Sequence, residues 1–223
     1  MKNRTAQLIF QSVYCALALV GMIGSVGFYD MKFTPDFYIY FTNLSNYLCA
    51  FVMLAELIQT AKRSGDGYVS MAPRLKFVSM LGLLLTCLVF NLLLARDPAR
   101  DPALNFKVEC ILCHSVLPVL FTADWLLFYE RGKVGVPWPF ISALFPVVYL
   151  LYVFVHAACW HFDSSVINYA GTDPVIYPYF FLNPERVGLS GMALWILALL
   201  AAFIVLGFLF FAIDRLLLRL KKR

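Results

Sequence analysis

The chain has 223 residues, of which 62% are hydrophobic and 14% are charged. Average soluble proteins hold about half and about a quarter, so this composition excludes a water-soluble globule, which would have too small an interior for the apolar side chains. The formal net charge of +5 is not arranged as a basic stripe interleaved with aromatic residues, so we predict membrane lipids as partners and no nucleic acid.

Six apolar runs are long enough to cross a bilayer. A spanning helix needs about 20 residues because each residue rises about 1.5 Å. Helices are favoured over strands because lipid offers no partner to exposed backbone groups. The sequence therefore predicts an all-α fold, a polytopic membrane protein in which residues 1–223 form one six-transmembrane-helix bundle. Its spans cover roughly 7–28, 37–60, 77–95, 106–129, 138–160 and 188–213.

Lys and Arg residues in the connecting segments predict the orientation of the bundle. The side that carries the N-terminus holds thirteen of them and the other side holds five. Because basic segments are retained in the cytoplasm, we predict cytoplasmic N- and C-termini and a location in the cell membrane. Lys76 belongs to the thirteen because the third apolar run begins after it. The long outer segment 161–187 is rich in Tyr and Pro and is predicted to pack at the membrane interface.

Several polar side chains lie inside the apolar runs, where they usually face the bundle interior. At about 1.5 Å per residue, Thr42 lies about 7.5 Å and His114 about 12 Å from the outer ends of their runs. Asn91 and His156 each lie about 6 Å from the outer end of theirs. These four side chains thus share the outer third of the membrane. Three further polar candidates lie in the same runs: Asn43 and Asn46 in the second and Tyr152 in the fifth.

Pro118 is expected to disturb the fourth helix beside His114. Proline has no N–H, so the His114 carbonyl loses the partner that a regular helix would supply four residues later. The resulting bend either aims the imidazole into a cavity or is one of the prolines that membrane helices tolerate. Glu109 is the nearest acidic residue that could orient the ring, one turn outward from His114.

Two other interpretations of the polar residues are disfavoured. Cys110-Ile111-Leu112-Cys113-His114 fits the C-x-x-C-H pattern of haem attachment, and the same residues could bind zinc. They continue an apolar helix, however, where cysteines usually serve as small packing residues. We therefore predict no cofactor and no metal. Glu56, Asp124 and Asp214 lie near the inner ends of their helices and are expected to pair with basic loops or water.

The sequence contains an ordered set of short motifs. They are Phe37-Tyr38-Ile39-Tyr40-Phe41-Thr42-Asn43-Leu44-Ser45-Asn46, His114 with Pro118, Asp124-Trp125, Tyr152 with His156, Tyr177-Pro178 and Leu182-Asn183-Pro184. This set resembles the androgen-induced membrane-protein family, and especially its bacterial six-helix relatives. Eukaryotic members of that family are intramembrane threonine hydrolases that act on fatty-acid esters of hydroxy fatty acids. The resemblance implies that Thr42 is the nucleophile and His114 its base.

The chemistry of these residue types suits ester hydrolysis. A hydroxyl is a weak nucleophile until a base removes its proton, and a neutral imidazole can do this near pH 7. Asn43, Asn46 or Asn91 could donate a hydrogen bond to the developing oxyanion, and Tyr152 and His156 are further substrate-binding candidates. The alternative is a non-enzymatic six-helix protein, a sensor or transporter that binds a lipid or another small ligand. The oligomeric state stays open.

Overall fold

The computed structural model describes residues 3–31, 33, 35–67, 72–98, 101–162 and 175–220, without the side chains of 35 and 160–162. Within these ranges the chain is helical and contains no strand. Six of its helices are long and apolar enough to cross a membrane. The prediction of an all-α protein with six spans is therefore confirmed. The middle of the predicted outer segment, residues 163–174, lies outside the described residues.

The six long helices follow one another along the chain, and the longest stretch between two of them separates the fifth from the sixth. Helices α3 and α6 begin four residues before their predicted starts because Pro73 and Pro184 occupy the first helical position, where the missing N–H is not needed. The side chain of Asn183 caps α6 by accepting from the backbone N–H of Glu185 at 2.8 Å. The helices are α1 (Arg4–Ser25), α2 (Phe41–Lys62), α3 (Pro73–Leu92), α4 (Val108–Phe128), α5 (Leu144–Phe162) and α6 (Pro184–Leu220).

Helices α1 and α2 pack side by side in opposite directions. The guanidinium of Arg4 donates to the backbone carbonyls of Thr60 at 3.0 Å and Ala61 at 2.7 Å, which joins the start of α1 to the end of α2. Further along α1, a Cβ atom on Gly21 would lie 3.1 Å from the Cys113 sulfur. Glycine at this position therefore allows α1 to approach the part of α4 that carries His114.

The structure corrects the sequence assignment of Lys76 to an inner connecting segment. This residue lies inside α3 and is buried with only 1% of its surface exposed. Its ammonium pairs with Glu56 of α2 at 2.5 Å and with Asp124 of α4. Both acids thus pair within the bundle instead of with a loop. Asp214 does pair with Arg131 of a connecting segment, at 3.7 Å.

The described end of the long outer segment, residues 175–183, folds back onto the bundle. The rings of Tyr179 and Phe181 stack with centroids 5.1 Å apart, and Phe181 and Leu182 are buried in the apolar core. Tyr179 also meets the ring of Tyr40, which directly precedes α2, at 6.2 Å. The segment therefore covers the N-terminal end of α2, where Thr42 lies, in addition to contributing aromatic residues.

Candidate functional site

Thr42 lies in the first turn of α2 and is 7% exposed. The preceding 3-10 turn, Pro35–Ile39, brings the chain to this point. The turn is held in place by the Tyr149 hydroxyl, which donates to the carbonyl of Ile39 at 2.9 Å. The Thr42 hydroxyl is thus fixed near one end of the bundle, with its backbone at the start of a helix.

His114 lies on a single π-helical stretch of α4, Leu112–Val116, directly before the α-helical segment in which Pro118 is the second residue. The proline explains the stretch, since the chain must rearrange where a backbone donor is missing. The His114 carbonyl accepts from the side-chain amide of Asn91 on α3 at 3.3 Å. The predicted disturbance beside His114 is therefore present as a local widening of the helix, and α3 supplies a donor there.

Thr42 and His114 face each other across the α2–α4 contact. The distance from Thr42 Oγ1 to His114 Nε2 is 3.4 Å, somewhat longer than the 2.6–3.2 Å of a productive base but typical of a site without substrate. The Phe90 ring of α3 stacks on the imidazole with centroids 3.8 Å apart. This stacking restricts the ring to an orientation in which Nε2 points at the hydroxyl.

The hydrogen bond on the other side of the imidazole defines its tautomer. His114 Nδ1 lies 2.9 Å from the backbone carbonyl of Cys110. Because a carbonyl oxygen only accepts, Nδ1 carries the proton and Nε2 presents its lone pair to Thr42. This is the tautomer that a general base requires. The Cys110 carbonyl fulfils the orienting role that the sequence analysis considered for Glu109.

The three asparagine candidates lie around this pair and bond to backbone carbonyls. Asn46 donates to the carbonyls of Thr42 at 2.8 Å and Cys113 at 3.1 Å, so both of its amide N–H groups are used. Asn91 donates to Cys87 at 2.8 Å as well as to His114. Asn46 and Asn91 are thus positioning residues, which hold the segments carrying the threonine and the histidine.

Asn43 is the third asparagine. It alone of the three lines the large cavity that also contains Thr42 and His114. One of its amide N–H groups donates to the carbonyl of Phe37 at 2.7 Å. An amide nitrogen has two N–H groups, so Asn43 keeps the capacity to donate to a bound ligand.

Tyr152 and His156 form a separate aromatic group on α5. The His156 ring lies 6.0 Å from the ring of Tyr38 and 6.4 Å from that of Tyr152. The Tyr152 hydroxyl donates to the backbone carbonyl of Tyr38 at 3.5 Å. Neither residue lines either of the two cavities that contain Thr42. The structure therefore does not bring these two candidates together with Thr42 and His114.

Tyr179 is a site residue that sequence reasoning did not identify. It lines the same cavities as Thr42. Burial raises the pKa of its hydroxyl to about 12, although hydrogen bonding with the side chain and backbone of Thr42 lowers it. Tyr179 thus remains a hydrogen-bond donor at neutral pH. The motif Tyr177-Pro178-Tyr179 was visible in the sequence, but an aromatic run in a loop gives no signal about which helix end it covers.

A large cavity of about 920 Å³ leads to the Thr42–His114 pair. Thr42, Asn43 and His114 are among its lining residues. The cavity is wide enough to hold many water molecules, so both the hydroxyl and the imidazole can contact water. Its remaining lining includes charged side chains of the connecting segments, namely Asp30, Asp97, Asp101 and Lys107, and of the first turns of α4 and α6, namely Glu109 and Arg186.

A smaller cavity of about 60 Å³ also reaches Thr42, from between α3, α5 and α6. Its walls are mainly aliphatic and aromatic side chains, among them Leu85, Val89 and Leu199. Thr42 therefore stands where a polar cavity and an apolar cavity meet.

The residues that the structure describes contain no group of three or more His, Cys, Asp or Glu side chains arranged to hold a metal ion. Cys110 and Cys113 are both buried within α4, and both are thiols. The Cys110 sulfur lies 3.6 Å from His114 Nδ1, the nitrogen that also contacts the Cys110 carbonyl. The C-x-x-C-H residues are thus part of the helix packing around His114.

The fold and these features define a polytopic membrane protein with a threonine–histidine pair at the junction of two cavities. Comparisons with protein-family models, with curated proteins and with solved structures found no match. The resemblance to the androgen-induced membrane-protein family, on which the assignment of a hydrolase activity first depended, therefore stays a prediction. The functional proposal is therefore based on the geometry of the site.

Proposed function

We propose that this protein is an intramembrane hydrolase that cleaves lipid esters, with Thr42 as the nucleophile and His114 as the general base. The observation that carries the proposal is the tautomer of His114. Its Nδ1 proton bonds the Cys110 carbonyl, and its Nε2 lone pair faces the Thr42 hydroxyl at 3.4 Å. A nucleophile with a base within hydrogen-bond reach, and a third group that orients the base, is the arrangement that nucleophilic catalysis uses.

The reaction begins when His114 Nε2 takes the proton of Thr42 Oγ1 as that oxygen attacks the ester carbonyl carbon. The tetrahedral intermediate collapses, the alcohol leaves with the proton from Nε2, and an acyl-threonine remains. Water from the large cavity then attacks the acyl group while Nε2 accepts its proton. Release of the carboxylic acid returns the proton to Thr42.

The negative charge on the carbonyl oxygen needs a hydrogen-bond donor that is already in place. Tyr179 suits this role because its hydroxyl bonds Thr42 and stays protonated below its pKa of about 12. The second N–H of Asn43 is available to a substrate group in the large cavity. Both groups are held by bonds to the backbone, so little reorganisation is needed during the reaction.

A covalent probe tests the proposal directly. We expect a fluorophosphonate probe to label the purified protein and the added mass to map to the peptide that contains Thr42. The isosteric variant Thr42→Val should show no labelling, whereas Thr122→Val should be labelled like the wild type, since the Thr122 hydroxyl bonds the Pro118 carbonyl within α4. Turnover of fluorogenic acyl esters should follow the labelling. If the wild type is neither labelled nor active, and lipid co-purifies equally with wild type and with Thr42→Val, the protein binds lipid without hydrolysing it.

We also propose that both termini are cytoplasmic and that the protein resides in the cell membrane. The excess of Lys and Arg on the side of the termini supports this orientation, and it holds after Lys76 is placed inside α3. The Thr42–His114 pair would then face the outer half of the bilayer. A C-terminal fusion to a reporter that is active only in the cytoplasm should be active, and an inactive fusion would contradict the orientation.

A further inference from the structure

The two cavities share the same three residues at their junction and differ in chemistry beyond it. Thr42, Leu94 and Tyr179 line both. The large cavity continues between charged connecting segments, whereas the small one continues between apolar side chains of α3, α5 and α6. An ester bond at Thr42 would therefore have one end in a polar space and the other in an apolar space.

Thr86 is a buried hydroxyl in the wall of the small cavity. It is 4% exposed, and within the described residues its Oγ1 has no hydrogen-bond partner. Hydroxyl side chains in helices normally bond the carbonyl four residues earlier. Thr60, Thr122, Ser79 and Ser142 of this protein all do so. An unpaired hydroxyl in an apolar environment is costly, which points to a partner supplied by a ligand.

The contacts between α2 and α3 place Thr86 at the depth of Thr42. Cys49 of α2 donates to the carbonyl of Ser79 at 3.3 Å, and a Cβ atom on Gly82 would lie 3.5 Å from Ser45 Oγ. The two helices are antiparallel, so the outward direction runs down the numbering on α2 and up the numbering on α3. Three residues outward from Ser45 is Thr42, and four residues outward from Gly82 is Thr86. Both threonines line the same cavity.

We propose that the small cavity binds the acyl chain of the ester and that Thr86 Oγ1 donates a hydrogen bond to the acyl carbonyl oxygen. The alcohol part lies in the large cavity, from which it leaves when the acyl-threonine forms. This assignment rests on the proposed hydrolase function and specifies which half of the substrate enters from the lipid side. The ligand class is an acyl chain whose first carbons enter this cavity of about 60 Å³, since apart from Thr42 and Thr86 its walls are aliphatic and aromatic side chains.

The chain-length profile of hydrolysis tests the acyl site. We expect Leu199→Trp, which fills the small cavity, to lower kcat/KM for p-nitrophenyl octanoate at least 10-fold while p-nitrophenyl acetate changes less than 2-fold. The matched control is Leu197→Trp, two residues away on α6 and 65% exposed on its outer surface, which should match wild type for both esters. Equal losses for both esters, or no loss for either, would overturn the assignment.

The role of the Thr86 hydroxyl requires a separate variant. Thr86→Val keeps the shape of the side chain and removes the donor, so we expect kcat/KM to fall about 10-fold or more for acetate and octanoate alike. A change of less than 2-fold would show that Thr86 does not bind the carbonyl. A thermal melt of each variant in detergent separates these effects from unfolding.

A binding measurement distinguishes failure of this inference from failure of the proposed function. Palmitic acid that carries a diazirine should form adducts on α3 or α6 residues of the small cavity, and Leu199→Trp, but not Leu197→Trp, should reduce them. If these adducts form although the wild type hydrolyses no ester, the acyl site stands and the hydrolase proposal falls. If the wild type hydrolyses esters but forms no such adducts, the hydrolase stands and the acyl site falls.

Discussion

Replacing His114 with alanine is expected to lower kcat for ester hydrolysis about 10³-fold, because the Thr42 hydroxyl loses the base that takes its proton. KM should change little, since the imidazole contacts Thr42 and the Cys110 carbonyl through its two nitrogens. The measurement is steady-state turnover of a fluorogenic octanoyl ester in detergent micelles, with the folded fraction checked by gel filtration.

The sequence offers a matched control for this experiment in His156. Its ring packs against Tyr38 and Tyr152 and lines neither of the two cavities that contain Thr42. His156→Ala should therefore retain turnover within about 3-fold of wild type. The lost ring contacts should lower the stability of the folded protein only slightly. If His114→Ala keeps more than a tenth of the wild-type rate, or if the two variants are equally impaired, the assigned base is wrong.

Replacing Lys76 with methionine is expected to destabilise the protein by about 3–5 kcal/mol, the usual cost of removing one partner from a buried ion pair. The ammonium lies between Glu56 and Asp124, and the three side chains are 1%, 1% and 0% exposed. Without it, two carboxylates remain close together in the bundle interior. A large drop in the thermal midpoint of the detergent-solubilised protein should result.

Two further variants separate buried charge from loss of the lysine side chain itself. Lys133→Met removes an ammonium that pairs with Glu130 at 3.2 Å near the surface, with both side chains almost half exposed, so its effect should stay below about 1 kcal/mol. The triple variant Lys76→Met, Glu56→Gln, Asp124→Asn removes all three charges and should recover much of the lost stability. Equal midpoints for Lys76→Met and Lys133→Met would contradict the role of the cluster.

The sequence predicted only those site residues that stand out from their neighbours along the chain. Thr42, His114 and Asn91 were noticed because polar groups are rare in apolar runs, and their common depth followed from the helical rise. The roles of Thr42 and His114 came from the family resemblance. Pro118 predicted a disturbance of the helix beside His114, but not that it is a π-helical stretch. Tyr179 and Thr86 were not identified, because a loop tyrosine and a helical threonine are ordinary until their neighbours are known.

By itself the sequence determined that the chain forms six helices long and apolar enough to span a membrane, since in lipid every apolar run has to satisfy its own backbone hydrogen bonds. Helix rotation and register are decided only when the helices pack, because they depend on which side chains fit together across a contact. Those two variables set the 3.4 Å approach of Thr42 to His114, the burial of Lys76 between two acids and the meeting of two cavities at one hydroxyl. Tertiary structure therefore decided which of the rare polar residues can act together.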